Sequence, residues 1–416
     1  MSLPAAHAPS SPAAAPTAVR SLFAQAQGSA IRELLALAQT PGFISLAGGM
    51  PDPALLPLPA ARDAYEQVLA GGSAALLQYG PTDGLPTTKQ GISRFLSGSV
   101  APHDPADWVL TTGSQQGIDL VARVLLDAGD AVAVEAHAYP AARQVFRFCQ
   151  ARIVSVAADD EGMRPEALAE AAAAQRLKAV YLVPTFGNPT GQLMGTARRQ
   201  ALLQVAAAAG AAVIEDDPYR HLAFDDTPLP PTLHQLNAEH RIGAEVVYLT
   251  SFSKTVAPVL RVGALLAPPA IRRAVVLAKQ AADIHSPLVD QAVLAQLLQG
   301  DWFPRHLAQL RVRYAAKGLA LHGALQSHLS HRLHWQPPRG GMFIWGTLRE
   351  RAPQGVDWKA LFARHQVLFV PGREFSADGA DAGHLRLSFA HPSLEQLPVA
   401  AQRLARLLDD VFAPAG

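Results

Sequence analysis

Cysteine is nearly absent from this chain. Cys149 is the only one in 416 residues, so no disulfide can form within the chain, which agrees with a reducing compartment. An excess of one charge is also missing. The formal net charge is +1, with Lys and Arg spread along the sequence, and nothing suggests a nucleic-acid-binding face. Long apolar runs are lacking. The alanine-rich stretch from Val205 to Ile214 is too short to span a bilayer and reads as a helix end running into a strand. The first twenty residues are rich in Ala, Pro and Ser, without a basic n-region or a long apolar h-region. They are not a signal peptide, and residues 1–20 are expected to form a mobile tail on a cytoplasmic protein. No internal repeat is evident. Charged residues make up 17% and hydrophobic residues 49%, which excludes a disordered chain, and the length suffices for two domains with a large core.

From about residue 110 to 270, apolar strand candidates alternate with helical stretches. The strands are expected at 131–134, 153–156, 179–183, 211–214, 246–250 and 262–266, with helices at 115–126 and 196–209 among those between them. Such alternation predicts a mostly parallel sheet covered by helices, with ligands outside the carboxyl ends of its strands. Lys254, Asp216 and Asn188 all fall just after candidate strands. Residues 269–327 read as helical. Beyond them, short strands at 333–335, 342–345, 368–370 and 385–389 alternate with helices near 358–365 and 394–411. The expected organisation is a large domain over 65–326 and a small α+β domain over 327–416, which residues 21–64 join.

The stretch Ser251-Phe252-Ser253-Lys254 through Arg261 carries the most chemical information. It sets a lysine at a strand end among apolar residues and hydroxyls. Burial favours the neutral amine, the form that attacks a carbonyl. Arg261, Ser251 and Ser253 are suitable groups to hold a phosphate. Thr112-Gly113-Ser114-Gln115 is a glycine turn feeding a helix, whose N-terminus also favours an anion. Taken alone, a lone lysine after a strand is usually a surface residue, and such a turn is equally an ordinary helix cap.

Four segments in order raise the reading above these bland alternatives. They are Tyr181-Leu182-Val183-Pro184-Thr185-Phe186-Gly187-Asn188-Pro189-Thr190-Gly191, Asp216-Asp217-Pro218-Tyr219, the Lys254 segment, and Leu385-Arg386-Leu387-Ser388-Phe389. Together they resemble the class I/II aminotransferases, fold type I enzymes dependent on pyridoxal 5′-phosphate (PLP), over roughly residues 20–412. The resemblance implies a mostly parallel seven-stranded sheet flanked by helices, with a smaller α+β domain. It implies Lys254 as the Schiff-base lysine and proton carrier. Ser114, Gln115, Ser251, Ser253 and Arg261 would hold the phosphate, and Tyr139 would stack on the pyridine. Asp216 would pair with the pyridine nitrogen, although Asp217 competes for that role. Asn188 and Tyr219 would bond the phenolic oxygen, and Arg386 would fork to the substrate carboxylate. No metal is implied.

Two N-terminal features narrow the resemblance. Ser29-Ala30-Ile31-Arg32 followed by Ser45-Leu46-Ala47-Gly48-Gly49-Met50-Pro51 is similar to the 2-aminoadipate/kynurenine/multi-substrate branch. It would place Arg32 on a mobile helix and Gly49 beside the substrate. Gln78-Tyr79-Gly80-Pro81 looks like the segment whose tyrosine reaches the partner subunit's phosphate, which implies a homodimer with shared active sites. Val259, Leu85 and Lys89 depart from the family's usual residues. The expected activity is transfer of an amino group from an L-amino acid (2-aminoadipate, aromatic or branched aliphatic) to a 2-oxo acid such as 2-oxoglutarate, by a ping-pong mechanism. β-Elimination or decarboxylation at the same carbanion, and a non-enzymatic effector-binding role, are the alternatives. The second needs a DNA-binding domain, for which twenty N-terminal residues are too few.

Overall fold

The computed structural model describes residue 23 and residues 30–71 and 73–413. The expected tail, residues 1–20, lies outside these described residues. A seven-stranded sheet forms the large part of the molecule. Across it the strands run Val109–Thr112, Val262–Leu266, Val246–Ser251, Ala212–Asp216, Leu177–Leu182, Ala131–Glu135 and Arg152–Val156. All neighbours pair in parallel except Val262–Leu266, which is antiparallel to both of its partners. Every residue of Ala131–Glu135, Ala212–Asp216 and Val246–Ser251 is buried. Burial on both faces is why these strands read as continuous apolar runs rather than alternating ones.

The antiparallel strand has a consequence for the site. Its amino end lies at the carboxyl rim of the other strands, with Val262 opposite Thr112 and Gly263 opposite Ser251. Arg261, just before it, therefore reaches the same rim as Asp216 and Ser251. The seventh strand, Val109–Thr112, was not among those expected from the sequence. It is four residues long, and its two threonines read as the start of a turn.

The smaller part holds a four-stranded antiparallel sheet in the order Leu333–His334, Phe343–Leu348, His384–Ser388, Val370–Pro371. The single strand expected at 368–370 divides in two. Val367–Leu368 pairs in parallel with Ile44–Ser45, whereas Val370–Pro371 joins the four-stranded sheet. The N-terminal segment thus meets the small part at residues 44–45. The helix Leu58–Ala70 instead packs on Leu288–Leu297, so residues 58–64 lie with the large part. The last helix, Gln396–Phe412, buries Leu397, Leu404, Leu407 and Leu408 in the core cluster that also holds Phe343, Leu385 and Leu387 of the small sheet. Each such leucine is worth ~1.5–3 kcal/mol.

A buried ionic network braces the rim from behind. Arg199 and Glu215 are both fully buried, 3.8 Å apart. Arg199 donates to the carbonyls of Met194 (2.9 Å) and Pro184 (2.9 Å) and to Thr185 Oγ1 (3.0 Å), tying down the loop that leads to Asn188. Glu215 accepts from the backbone N–H groups of Leu233 and His234. Burial, then the Asp217 carboxyl, pushes Glu215 up to about 7. Removing one partner of a buried pair strands the other. Arg199→Met is expected to lose ~3–5 kcal/mol of stability in urea denaturation; a loss under ~1 kcal/mol would contradict a bracing role.

Candidate active site

A cavity of about 320 Å³ opens at the carboxyl rim, between the sheet and the small domain. Twelve of the fourteen residues singled out in the sequence line it: Gly49, Ser114, Gln115, Tyr139, Asn188, Asp216, Tyr219, Ser251, Ser253, Lys254, Arg261 and Arg386. They come from the ends of six strands of the large sheet, from the small-sheet strand His384–Ser388 and from the N-terminal segment.

Lys254 follows the strand Val246–Ser251 by three residues, and its Nζ donates to the Gly49 carbonyl at 2.9 Å. Burial, aided by the cationic Arg386 and Arg261, lowers its pKa to about 8. More of this amine is neutral near pH 7 than for an exposed lysine, which suits attack on a carbonyl.

One end of the cavity is built for an anion. Gly113 adopts φ +76° and feeds the helix Ser114–Leu125, whose N-terminus faces the cavity. Arg261, itself left-handed at φ +50°, donates from Nη2 to the Thr112 carbonyl at 3.1 Å. A Cβ on Gly113 would stand 2.5 Å from that nitrogen, and one on Gly263 would stand 2.8 Å from the Ser114 nitrogen. Only glycine lets the strand, the turn and the guanidinium approach so closely. Ser251 Oγ donates to Ser253 Oγ at 3.1 Å. Gln115 Oε1 is buried with no partner among the described residues. A helix N-terminus, a guanidinium and two hydroxyls together favour a phosphate.

The other end is shaped by Asp216, the last residue of its strand. Its Oδ2 accepts from the Tyr181 hydroxyl at 2.8 Å, while its Oδ1 is buried with no partner among the described residues. Burial pushes the carboxyl up to about 7; the Tyr181 bond opposes this and Asp217 adds to it. An unpartnered buried carboxyl oxygen is costly. A protonated pyridine nitrogen would satisfy it and favour the charged form. The donors present therefore fit PLP: the Arg261 end would suit its phosphate, and Asp216 would suit its ring nitrogen. Asp217 does not line the cavity. It is buried beside Arg220, at 3.9 Å.

Arg386 sits within the four-stranded sheet, not on an edge strand, and only 2% of its surface is exposed. It donates to Asn188 Oδ1 at 2.6 Å and to the Ala47 carbonyl. Its guanidinium lies 4.3 Å above the Phe343 ring and 4.9 Å from Phe375. Its Nε is buried with no partner among the described residues, and burial lowers its pKa to about 10. A buried guanidinium that lines the cavity and keeps an unpaired N–H is suited to a carboxylate. Tyr219 packs edge-on to Phe343, with ring centroids 5.7 Å apart, and burial raises its pKa. Tyr139 lines the cavity from just ahead of the helix Pro140–Phe148.

Two of the residues singled out are not among the described residues that line the cavity. Tyr79 is 75% exposed, its ring 6.0 Å from that of His285, and it does not line the cavity. Arg32 belongs to the helix Ala30–Leu37, but its side chain is outside the described residues. Conversely, sequence reasoning passed over Tyr181 and Phe343. The signal for Tyr181 was its place at the carboxyl end of the strand beside Asp216. Phe343 carries none, because its role is set by Arg386 across the small sheet. The departing residues lie off the cavity as well. Val259 is exposed, and Lys89 is buried against Asp83.

Comparison with known proteins agrees with this geometry. The family model for aminotransferase class I and II matches residues 42–404. A 2-aminoadipate transaminase of Thermus thermophilus is 38% identical over 390 residues, covering 93% of this chain and 95% of that protein. An aromatic-amino-acid aminotransferase of Thermococcus litoralis is 33% identical over 393 residues, covering 92% of each. The crystal structure of the α-aminoadipate aminotransferase LysN from Thermus thermophilus, complexed with N-(5′-phosphopyridoxyl)-L-leucine, superposes with a TM-score of 0.85. It is 37% identical and covers 94% of this chain and 97% of that one. With this fold and this cavity, the chain belongs to the class I and II aminotransferases and is a PLP-dependent transaminase.

Proposed function

We propose that the protein transfers the amino group of an L-amino acid of the 2-aminoadipate, aromatic or branched aliphatic type to 2-oxoglutarate, by a ping-pong mechanism. The names of the similar proteins support the first two donor types, and the phosphopyridoxyl-leucine bound by LysN supports the third. The observation that carries the reading is the pairing, in one cavity, of the Lys254 amine with the unpartnered Asp216 Oδ1 and the Arg261 anion cradle. When bound, PLP supplies an electron sink for the negative charge at the substrate's Cα. Lys254 would hold the cofactor and would take the substrate's Cα proton as general base. Asp216 would keep the ring nitrogen protonated. Ser114, Gln115, Ser251, Ser253 and Arg261 would hold the phosphate, and Tyr139 would stack on the ring. Asn188 and Tyr219 would bond its phenolic oxygen. Arg386 exchanges its bond to Asn188 for a fork to the substrate carboxylate, beside Gly49.

The same reading includes a cytoplasmic homodimer acting in amino-acid metabolism. Its support is the exposure of Tyr79, which does not line its own chain's cavity and would reach the cofactor phosphate held by a partner subunit. Among the described residues no helix is long and apolar enough to cross a membrane. The large cofactor-binding domain would end near residue 326, and the small domain would follow it.

Lys254 attacks as the neutral amine. Its folded-state pKa is lowered, so the reactive form accumulates as pH rises through about 8. The rate of PLP capture by the apoprotein, followed by absorbance, is expected to climb through that pH and then level. In Lys254→Ala capture and turnover are expected to vanish; near-normal turnover in that variant would sink the assignment. Arg32→Ala is expected to lower kcat/KM for 2-aminoadipate more than for leucine or phenylalanine. Equal losses for acidic and apolar donors would count against a specificity role for Arg32.

A further inference from the structure

His137, Asp381 and His384 meet beside the active site, at the boundary between the two domains. His137 follows the large-sheet strand Ala131–Glu135, whereas Asp381 and His384 belong to the small domain. His137 Nε2 lies 2.9 Å from Asp381 Oδ2, and His384 Nδ1 lies 2.9 Å from the same oxygen. The three donor atoms lie within 4.8 Å of one another. The side chains are 21%, 11% and 27% exposed, so they are held by the protein yet reachable from solvent. Trp345 stacks on His384 at an interplanar angle of 12° and packs against His137, fixing both rings. The Gly383 N–H donates to Asp381 Oδ1 at 2.8 Å and orients the carboxylate.

From this convergence we propose that His137, Asp381 and His384 bind one divalent transition-metal ion of the zinc class, bridging the domains outside the PLP cavity. Two imidazole nitrogens and one carboxylate are a donor set such ions prefer, and three protein ligands leave a fourth position for water. Ligand bonds of ~2.0–2.2 Å separate tetrahedral donors by ~3.3 Å, so the two 2.9 Å nitrogen–oxygen spacings need to open by only a few tenths of an ångström, with the two imidazole nitrogens already within 4.8 Å of each other. The ion would act on known machinery through the backbone. His137 is two residues from Tyr139. His384 is two residues from Arg386 on one strand, hence on the same face. The same boundary is already tied by Arg143, which donates to the carbonyls of Glu374 and Ser376. A metal bridge would add to that tie and hold the small domain against the large one.

The test is titration of the PLP-loaded, tag-free enzyme with Co²⁺, reading its ligand-field bands, and with Zn²⁺ in competition. One equivalent is expected to bind, and Zn²⁺ is expected to displace it. His137→Gln and His384→Asn are each expected to weaken binding at least ~10-fold while keeping the PLP absorbance of the native fold. Zn²⁺ should raise the thermal midpoint of the wild type and not of either variant, since only a folded-state site is stabilised by its ligand. No stoichiometric binding by the wild type, or binding unchanged in both variants, overturns the proposal and leaves the three residues as a hydrogen-bonded latch.

Discussion

Burial of charge at one rim of the sheet is the constraint on which the site depends. Lys254, Asp216 and Arg386 are each ionisable in water, and each is taken out of it here. Burial moves the lysine down to about 8, the aspartate up to about 7 and the arginine down to about 10. Among the described residues, Asp216 Oδ1 and Arg386 Nε have no partner. In a well-packed protein such orphans are uncommon and point to a ligand. A phosphorylated pyridine aldehyde and an amino-acid carboxylate account for these two orphans and for the amine together.

The fold meets the cost of holding these groups through topology. A single antiparallel strand in a parallel sheet brings Arg261 to the edge where the other strands end. Gly113 and Gly263 let the turn and strand close on it. Behind the rim, Arg199 satisfies carbonyls of the loop carrying Asn188, and Glu215 satisfies the backbone N–H groups of Leu233 and His234. The small domain adds Arg386 and Phe343 from the opposite side, so the cavity exists only where both domains meet.

Much of this was legible in the sequence because the chemistry sits in short local segments. The Lys254, Asp216 and Asn188 segments each combine an apolar strand with a polar turn, and alternation of strands and helices gave the sheet. Legibility failed where a role depends on contact across the chain. The strand Val109–Thr112 is only four residues long, and its pairing with Val262–Leu266 is invisible locally. Tyr181 was seen as part of a motif, but its bond to Asp216 arises from two adjacent parallel strands. Tyr79 could not be placed from one chain, since its expected ligand belongs to a second copy. His137 and Asp381 are separated by 244 positions, and no spacing rule connects them.

The central claim is that the cavity performs half of a transamination on its own. The direct measurement is the visible spectrum of the PLP-loaded protein as amino acids are added singly with no oxo acid present. The account expects the absorbance of the lysine-bound cofactor to fall for 2-aminoadipate, aromatic or branched donors, with one equivalent of 2-oxo acid released per site. An absorbance indifferent to every amino acid, or continuous release of pyruvate and ammonia from a β-substituted substrate without an acceptor, would contradict it.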